Sequence, residues 1–400
     1  MVNIKERVEE WLDNIKKVKL IKREFKVPTT SDIKAIVGPR RAGKTYYLFQ
    51  LAKEFSKEKS IAYINFDDIF FSKATVEEWK HFFNGLEKGT VLLLDEVQNW
   101  EEWGRWLRTL HDEKKFDIYV TGSSSKLLIK EISTNLRGRY TSKLFLPFSF
   151  KEFLKIKKAP ASKKILKEYL RYGGFPEVIK EDIVNKEEKL RSIFATTFYR
   201  DFVERYKIRE IETAKIVIEN ILSATASLIS ISKLHKQLKS LGIKLSKRTL
   251  WKYYVQMKDS FLFFDIPPLV FSKYKERLLP KKVYSIDLGI SNIFRTVPLG
   301  ARIETVVAHK LLRERKGSLY YISDDECEID FGVRSDSSIN LLEVAAIVDN
   351  AHINKLKKAP KHLPKFLKVK KMSIISLEEE FEIEGMKVKS LMNWLLDKHS

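Results

Sequence analysis

Two short stretches of this chain carry residues whose types and spacing suit phosphate chemistry. The first is Gly38-Pro39-Arg40-Arg41-Ala42-Gly43-Lys44-Thr45, which follows the apolar run Ile33–Val37 and opens at Tyr46 into a helical pattern. Gly-x-x-x-x-Gly-Lys-Thr between a strand and a helix is the arrangement that cradles a nucleotide's phosphates. Gly38 and Gly43 are expected to permit backbone angles that turn successive N–H groups inward, and the helix N-terminus adds positive potential. Lys44 would reach the β- and γ-phosphates as a point charge, and the Thr45 hydroxyl would hold Mg²⁺. ATP with Mg²⁺ is therefore the expected ligand, lined by residues 38–46. The second stretch is Thr90-Val91-Leu92-Leu93-Leu94-Asp95-Glu96, an apolar run closing on two acids. As a buried parallel strand it would deliver both acids to the sheet's carboxyl end, where ligands bind. Asp95 would hold Mg²⁺ through its water shell, and Glu96 would orient and deprotonate the attacking water. Alone such a strand end is a common sight; behind a phosphate loop it is specific.

The elements that must position these groups read as an open α/β sheet. Residues 1–27 form an amphipathic pattern with Val8, Trp11, Leu12, Ile15 and Val18 at helical spacing, ended by Pro28. A second strand spans residues 60–65 and a helix residues 76–86. Trp103, Trp106, Leu107 and Leu110 follow at i, i+3, i+4, i+7, a stripe expected to face the core. Residues 116–121 read as a strand running into a hydroxyl cluster, Thr121 with Ser123, Ser124 and Ser125; a polar residue at this tip can sense the γ-phosphate, and a loop that caps the next helix would use the same serines. Asn135-Leu136-Arg137-Gly138-Arg139 then precedes a strand over 143–146.

Composition narrows the class. The 400 residues hold 75 Lys and Arg against 53 Asp and Glu, a net charge of +22, which favours a polyanionic partner and nucleic acid first. No apolar run approaches a membrane span, and the charged N-terminus lacks the features of a secretion signal, so a cytoplasmic protein with no membrane partner is expected. A single cysteine, Cys327, leaves no internal disulfide or cysteine-built zinc site.

In order, Gly-Pro-Arg-Arg-Ala-Gly-Lys-Thr, Leu-Leu-Leu-Asp-Glu-Val-Gln, Val-Thr-Gly-Ser-Ser-Ser, Leu-Arg-Gly-Arg and Leu-Pro-Phe-Ser-Phe-Lys-Glu-Phe-Leu resemble a prokaryotic, archaeal-type family of AAA-plus P-loop ATPases with a nuclease-like C-terminal domain. The resemblance implies that Ser123 or Ser124 is sensor 1. It also places Arg137 and Arg139 where such proteins carry the arginine finger, which completes a neighbouring subunit's site in trans. A homo-oligomer follows, with a hexameric ring as its candidate form. Residues 148–205 match the helical lid, and Gly173-Gly174-Phe175-Pro176 resembles the element that closes over base and sugar, with Pro176 as the contact. A plain turn would use the same residues.

From 206 to 275 the pattern fits a winged helix-turn-helix whose third helix opens at Ser246. Lys244, Lys247, Arg248 and Lys252 are its expected contacts with DNA phosphates, double-stranded DNA being the favoured partner. Residues 276–400 have their own α/β pattern, in which Glu304, Asp330 and Glu343 resemble the metal-binding acids of the PD-(D/E)XK nuclease fold. That chemistry wants a lysine two residues past the last acid, and Ala345 stands there. The next lysines, from Lys355, lie beyond the strand and look poorly placed to substitute, so a non-cleaving domain is expected. The fold expected is thus a P-loop AAA-plus core with its N-terminal helix (1–147), lid (148–205), winged helix (206–275) and nuclease-like domain (276–400). The function expected is an ATPase that couples hydrolysis to conformational change on DNA. The alternative from another class is a nucleotide-dependent switch or scaffold acting on a protein partner; an active nuclease is the third.

Overall fold

The computed structural model describes residues 3–28, 30–122, 139–314, 316–323 and 327–397. Two compact units emerge: Met1–Leu146 with Asp259–Phe261, and Pro147–Lys258 with Leu262–Ser400. Among the described residues no helix is long and apolar enough to cross a membrane.

In the first unit, α1 (Ile4–Lys17) starts on an Asn3 capping box. The Asn3 side chain accepts from a backbone N–H of the first turn, and Glu6 accepts from the Asn3 N–H at 3.3 Å. It buries Ile4, Val8 and Ile15 and stops at Lys17, short of the expected residue 27. The cause is a change of period. Arg23, Phe25 and Val27 turn inward while Glu24 and Lys26 stay exposed, an alternation of two that suits extended chain.

Five parallel strands follow: β1 (Ile33–Val37), β2 (Ile61–Asn65), β3 (Val91–Asp95), β4 (Asp117–Gly122) and β5 (Tyr140–Leu144), in the order β2-β3-β4-β1-β5. Every residue of β1 and β3 is buried, because helices cover both faces of a parallel sheet; hence their unbroken apolar runs. β4 lies between them, so the carboxyl ends of β1 and β3 flank a crevice. β5 starts at Tyr140, ahead of the expected Lys143. As an edge strand it is only half-buried, and Thr141-Ser142-Lys143 offers no apolar run to announce it.

The second unit holds two sheets. β6 (Ser227–Ile229), β7 (Phe263–Ile266) and β8 (Lys281–Ser285) form an antiparallel sheet in the order β6-β8-β7, beside the helices Ile211–Ser223, Ile231–Ser240 and Lys247–Asp259. One apolar core draws Tyr172 and Leu190, Ile218 and Leu250, and Val283 and Ile290 together, from both sides of residues 205/206 and 275/276. The six-stranded sheet comprises β9 (Ser318–Ser323), β10 (Glu328–Ser335), β11 (Ser338–Ala345), β12 (Lys368–Ser376), β13 (Phe381–Ile383) and β14 (Met386–Ser390), in the order β13-β14-β12-β11-β10-β9. The helices Leu299–Glu314 and Asn350–Lys358 pack on β11.

Asp287 ties this unit together. Its carboxylate accepts from the Gly174 N–H at 2.7 Å and the Gly289 N–H at 2.9 Å. Gly173 is left-handed (φ 73°), and a Cβ there would lie 1.8 Å from Asp287 Oδ1. The Gly173-Gly174 pair is thus accounted for by seating a buried carboxylate. Burial pushes Asp287 up to about 6. A carboxyl raised above its unfolded value holds its proton better in the folded chain, so its contribution to stability falls as pH rises from about 4 to about 6. The stability advantage of wild type over Asp287→Ala in urea unfolding should therefore narrow by up to about 3 kcal/mol across that window. A gap that does not change with pH would contradict this.

Candidate nucleotide site

The loop after β1 leads into α2 (Lys44–Phe55), whose N-cap is Gly43 in the left-handed region at φ 95°. Arg41 is left-handed too (φ 61°), so two of the turns that curl the loop need that conformation. Gly38 has a different reason from the one expected. Its φ is not positive; instead a Cβ there would meet the Phe145 carbonyl oxygen at 2.1 Å. Glycine is required because the loop passes against the backbone that follows β5. Arg23 braces the same region from below. Its buried guanidinium donates to the Ala42 and Leu146 carbonyls, each at 2.8 Å, and lies 4.0 Å from the centre of the Phe145 ring.

Lys44 is buried at the head of α2. Its ammonium donates to the carbonyls of Gly38 at 3.1 Å and Pro39 at 3.0 Å and stands 3.9 Å from Glu96 Oε1. Asp95, at the end of β3, is wholly buried. Thr45 and Thr121 both hydrogen-bond to its carboxylate, and the Tyr63 hydroxyl donates to Oδ2 at 3.0 Å. Burial, reinforced by the charge of Glu96, pushes Asp95 up to about 6, against these three hydrogen bonds. Among the described residues no three His, Cys, Asp or Glu side chains are grouped to hold a metal. A nucleotide-borne Mg²⁺ does not ask for that: it needs one carboxylate and one hydroxyl, with phosphates and water supplying the rest. The adjacent Asp95 and Thr45 fit it, and a buried carboxylate bonded to neutral hydroxyls beside the charge of a second acid is a donor set that a divalent cation would relieve.

Glu96 takes the left-handed conformation at φ 50°, a strained choice for a non-glycine residue at the turn into Val97–Asn99. The turn swings its carboxylate towards Lys44, and the Gln98 amide donates to Oε2. The Glu96 N–H donates to Thr121 Oγ1 at 3.0 Å, so one hydroxyl at the tip of β4 braces both acids. Tyr63, Thr121, Gln98 and Arg23 are site residues that the two motifs do not announce. Thr121 had a signal, being polar at a strand tip. Tyr63 reads as one more apolar strand residue, and Arg23 sits where helix was expected.

Residues 30–154 match a family described as an AAA domain, and residues 163–299 match a domain of unknown function (DUF8612). The uncharacterized protein MJ1544 of Methanocaldococcus jannaschii is 35% identical over 347 residues, covering 81% of this chain and 78% of that protein. An uncharacterized protein of Haemophilus influenzae is 30% identical over 387 residues, covering 92% and 95%. The chain belongs to the family of MJ1544. Its first unit is an AAA-type P-loop ATPase fold. Among solved structures, the Walker-type ATPase paby2304 of Pyrococcus abyssi aligns at TM-score 0.44 with 14% identity, over 66% of this chain and 91% of that one.

The other expected site residues fall out as follows. Ser123, Ser124 and Arg137 lie outside the described residues. Arg139 directly precedes β5, whose Tyr140 pairs with Ile33, so it stands at the strand-start end of the sheet, roughly 16 Å of strand away from the loop that follows Val37. There it forms an ion pair with Asp112. Pro176 opens the short helix Pro176–Lys180 in the second unit. Lys244, Lys247, Arg248 and Lys252 are all exposed, the last three on the helix Lys247–Asp259.

Glu304, Asp330 and Glu343 do converge, in company that the sequence hid. Lys282, from β8, stands 2.7 Å from Asp330 Oδ1 and 2.8 Å from Glu304 Oε1, and Tyr284 donates to Glu304 at 2.6 Å. Lys355, expected to be poorly placed, pairs with Glu343, because the helix Asn350–Lys358 folds back along β11. Separation along the chain says nothing of a side chain carried on a returning helix. Burial, then the charge of Asp330, push Glu304 up to about 7 and Glu343 up to about 8. Lys282→Met would leave two buried acids without their cation. It should cost the second unit about 3–5 kcal/mol at pH 8 and less at pH 6, where Glu304 can take a proton. Equal losses at both pH values would rule this out.

Proposed function

We propose that this protein is an ATPase that couples hydrolysis to conformational change on DNA. The observation that carries the reading is the assembly of Lys44, Thr45, Asp95 and Glu96 at one end of the sheet, with Thr45 bonded to Asp95 and Glu96 turned towards Lys44. Residues 38–46 hold the phosphates, Asp95 and Thr45 hold Mg²⁺, and the metal screens the developing negative charge when bound. Glu96 orients a water and takes its proton. Ser123 or Ser124 senses the terminal phosphate, and Pro176 closes over the base. Arg137 or Arg139 acts on the neighbouring subunit in a homo-oligomeric ring; the distance of Arg139 from its own loop supports action in trans, although Asp112 must release it first.

The three-helix, three-stranded part of the second unit is read as a winged helix. Lys244, Lys247, Arg248 and Lys252 carry no ion pair among the described residues and are available to phosphates of double-stranded DNA. The six-stranded part is read as a nuclease-like domain that does not cleave, supported by Ala345 where the nuclease pattern puts its lysine; Lys355, which reaches Glu343 from the returning helix, is the residue that would have to replace it. ATP turnover measured with and without duplex DNA at moderate salt tests the coupling, and stimulation is expected. Unchanged turnover together with no retardation of DNA in a gel would leave the switch acting on a protein partner as the better reading. The shared site is tested by mixing Lys44→Ala protein with Arg137→Ala or Arg139→Ala protein. One mixture should recover part of the turnover, and no recovery in either would argue against it.

A further inference from the structure

A groove of about 540 Å³ runs along the helix Lys247–Asp259, between it and the segment Arg277–Lys281. Its floor is aromatic. Trp251 is 45% exposed, and its ring lies nearly parallel to that of buried Tyr254, 10° apart with centroids 5.8 Å apart. The Tyr254 hydroxyl donates to Asp265 at 2.9 Å, which fixes the lower ring and so the platform above it. Four cations line the walls, Lys247 and Arg248 on the helix and Arg277 and Lys281 opposite, and among the described residues no acidic one lines the groove. A tryptophan left this open on a rigid support, ringed by positive charge, offers a π-face and phosphate partners within one nucleotide's reach. A paired base inside a duplex cannot present its face to such a platform, whereas an unstacked one can. The volume suits one or two nucleotides.

We infer that this groove takes an unpaired nucleotide of the DNA, its base stacked on Trp251 and its flanking phosphates held by the four cations. The inference rests on the DNA reading above and adds that the preferred DNA carries a single-stranded segment beside its duplex. The test is fluorescence anisotropy of the full-length protein with two fluorescein-labelled DNAs, a fully paired duplex and the same duplex with a short single-stranded tail. Wild type should bind the tailed DNA about tenfold more tightly. Trp251→Ala should abolish that preference while leaving duplex affinity unchanged, and Trp251→Phe should keep most of it. Lys247→Ala with Arg248→Ala should weaken both DNAs, the tailed one more because the phosphates flanking its unpaired nucleotide lose partners as well, and should flatten the salt dependence. Equal binding of the two DNAs by wild type, or a preference that survives Trp251→Ala, would overturn the groove assignment and leave duplex binding standing. Binding of neither DNA would overturn the DNA reading itself, and this inference with it.

Discussion

Glu96→Gln is expected to bind ATP about as well as wild type and to lose turnover by on the order of 10²–10⁴-fold. The amide is nearly isosteric, and its oxygen can still accept from the Gln98 amide, so the strained turn at φ 50° keeps its geometry. What disappears is a base for the water's proton. Lys44 loses the charge of Glu96 at 3.9 Å but keeps its bonds to the Gly38 and Pro39 carbonyls, and Thr45 still bonds to Asp95, so the phosphates keep their partners. Binding read with a fluorescent ATP analogue, and turnover read by phosphate release, should therefore separate. Wild-type turnover in this variant would mean that another residue does the work of Glu96. The same variant should accumulate in its ATP-bound state, which makes it the natural protein for measuring assembly.

Gly38→Ala should abolish detectable ATP binding and also weaken the fold by about 1–3 kcal/mol. The added carbon would come within 2.1 Å of the Phe145 carbonyl oxygen, and that backbone is itself tied to β1 through the Phe145 N–H to Val37 carbonyl bond of 2.6 Å. Neither partner is a flexible side chain that could move aside, so the loop must shift and its inward N–H groups lose their aim. Gly85→Ala is the control, since a carbon there meets nothing within 4 Å. Isothermal titration with ATP and thermal unfolding of both variants checks this. A Gly38→Ala protein that binds ATP normally would show that the close approach is not a constraint.

The difference between these two glycines shows where sequence reading stops. Gly43 and Gly38 look equivalent in the motif, but one is needed for its φ and the other for what lies against it, and a residue 107 positions away supplies the second reason. The acids of the second unit repeat the point. Glu304, Asp330 and Glu343 could be singled out from their elements, whereas Lys282 and Lys355 are ordinary lysines until β8 and a returning helix bring them in.

The sequence alone determined the phosphate loop, the Asp95–Glu96 strand end and the α/β character of the first unit. Each is local: the chemistry needs particular residue types within a few positions, and a strand buried on both faces must be an unbroken apolar run. Tertiary structure alone decided the strand order that sets Asp95 against Thr45, and the hydroxyls of Thr121 and Tyr63 that hold it. It also decided the lysines on the buried acids and the groove around Trp251. Those depend on which distant segments meet, and a single chain carries no periodicity that records such meetings.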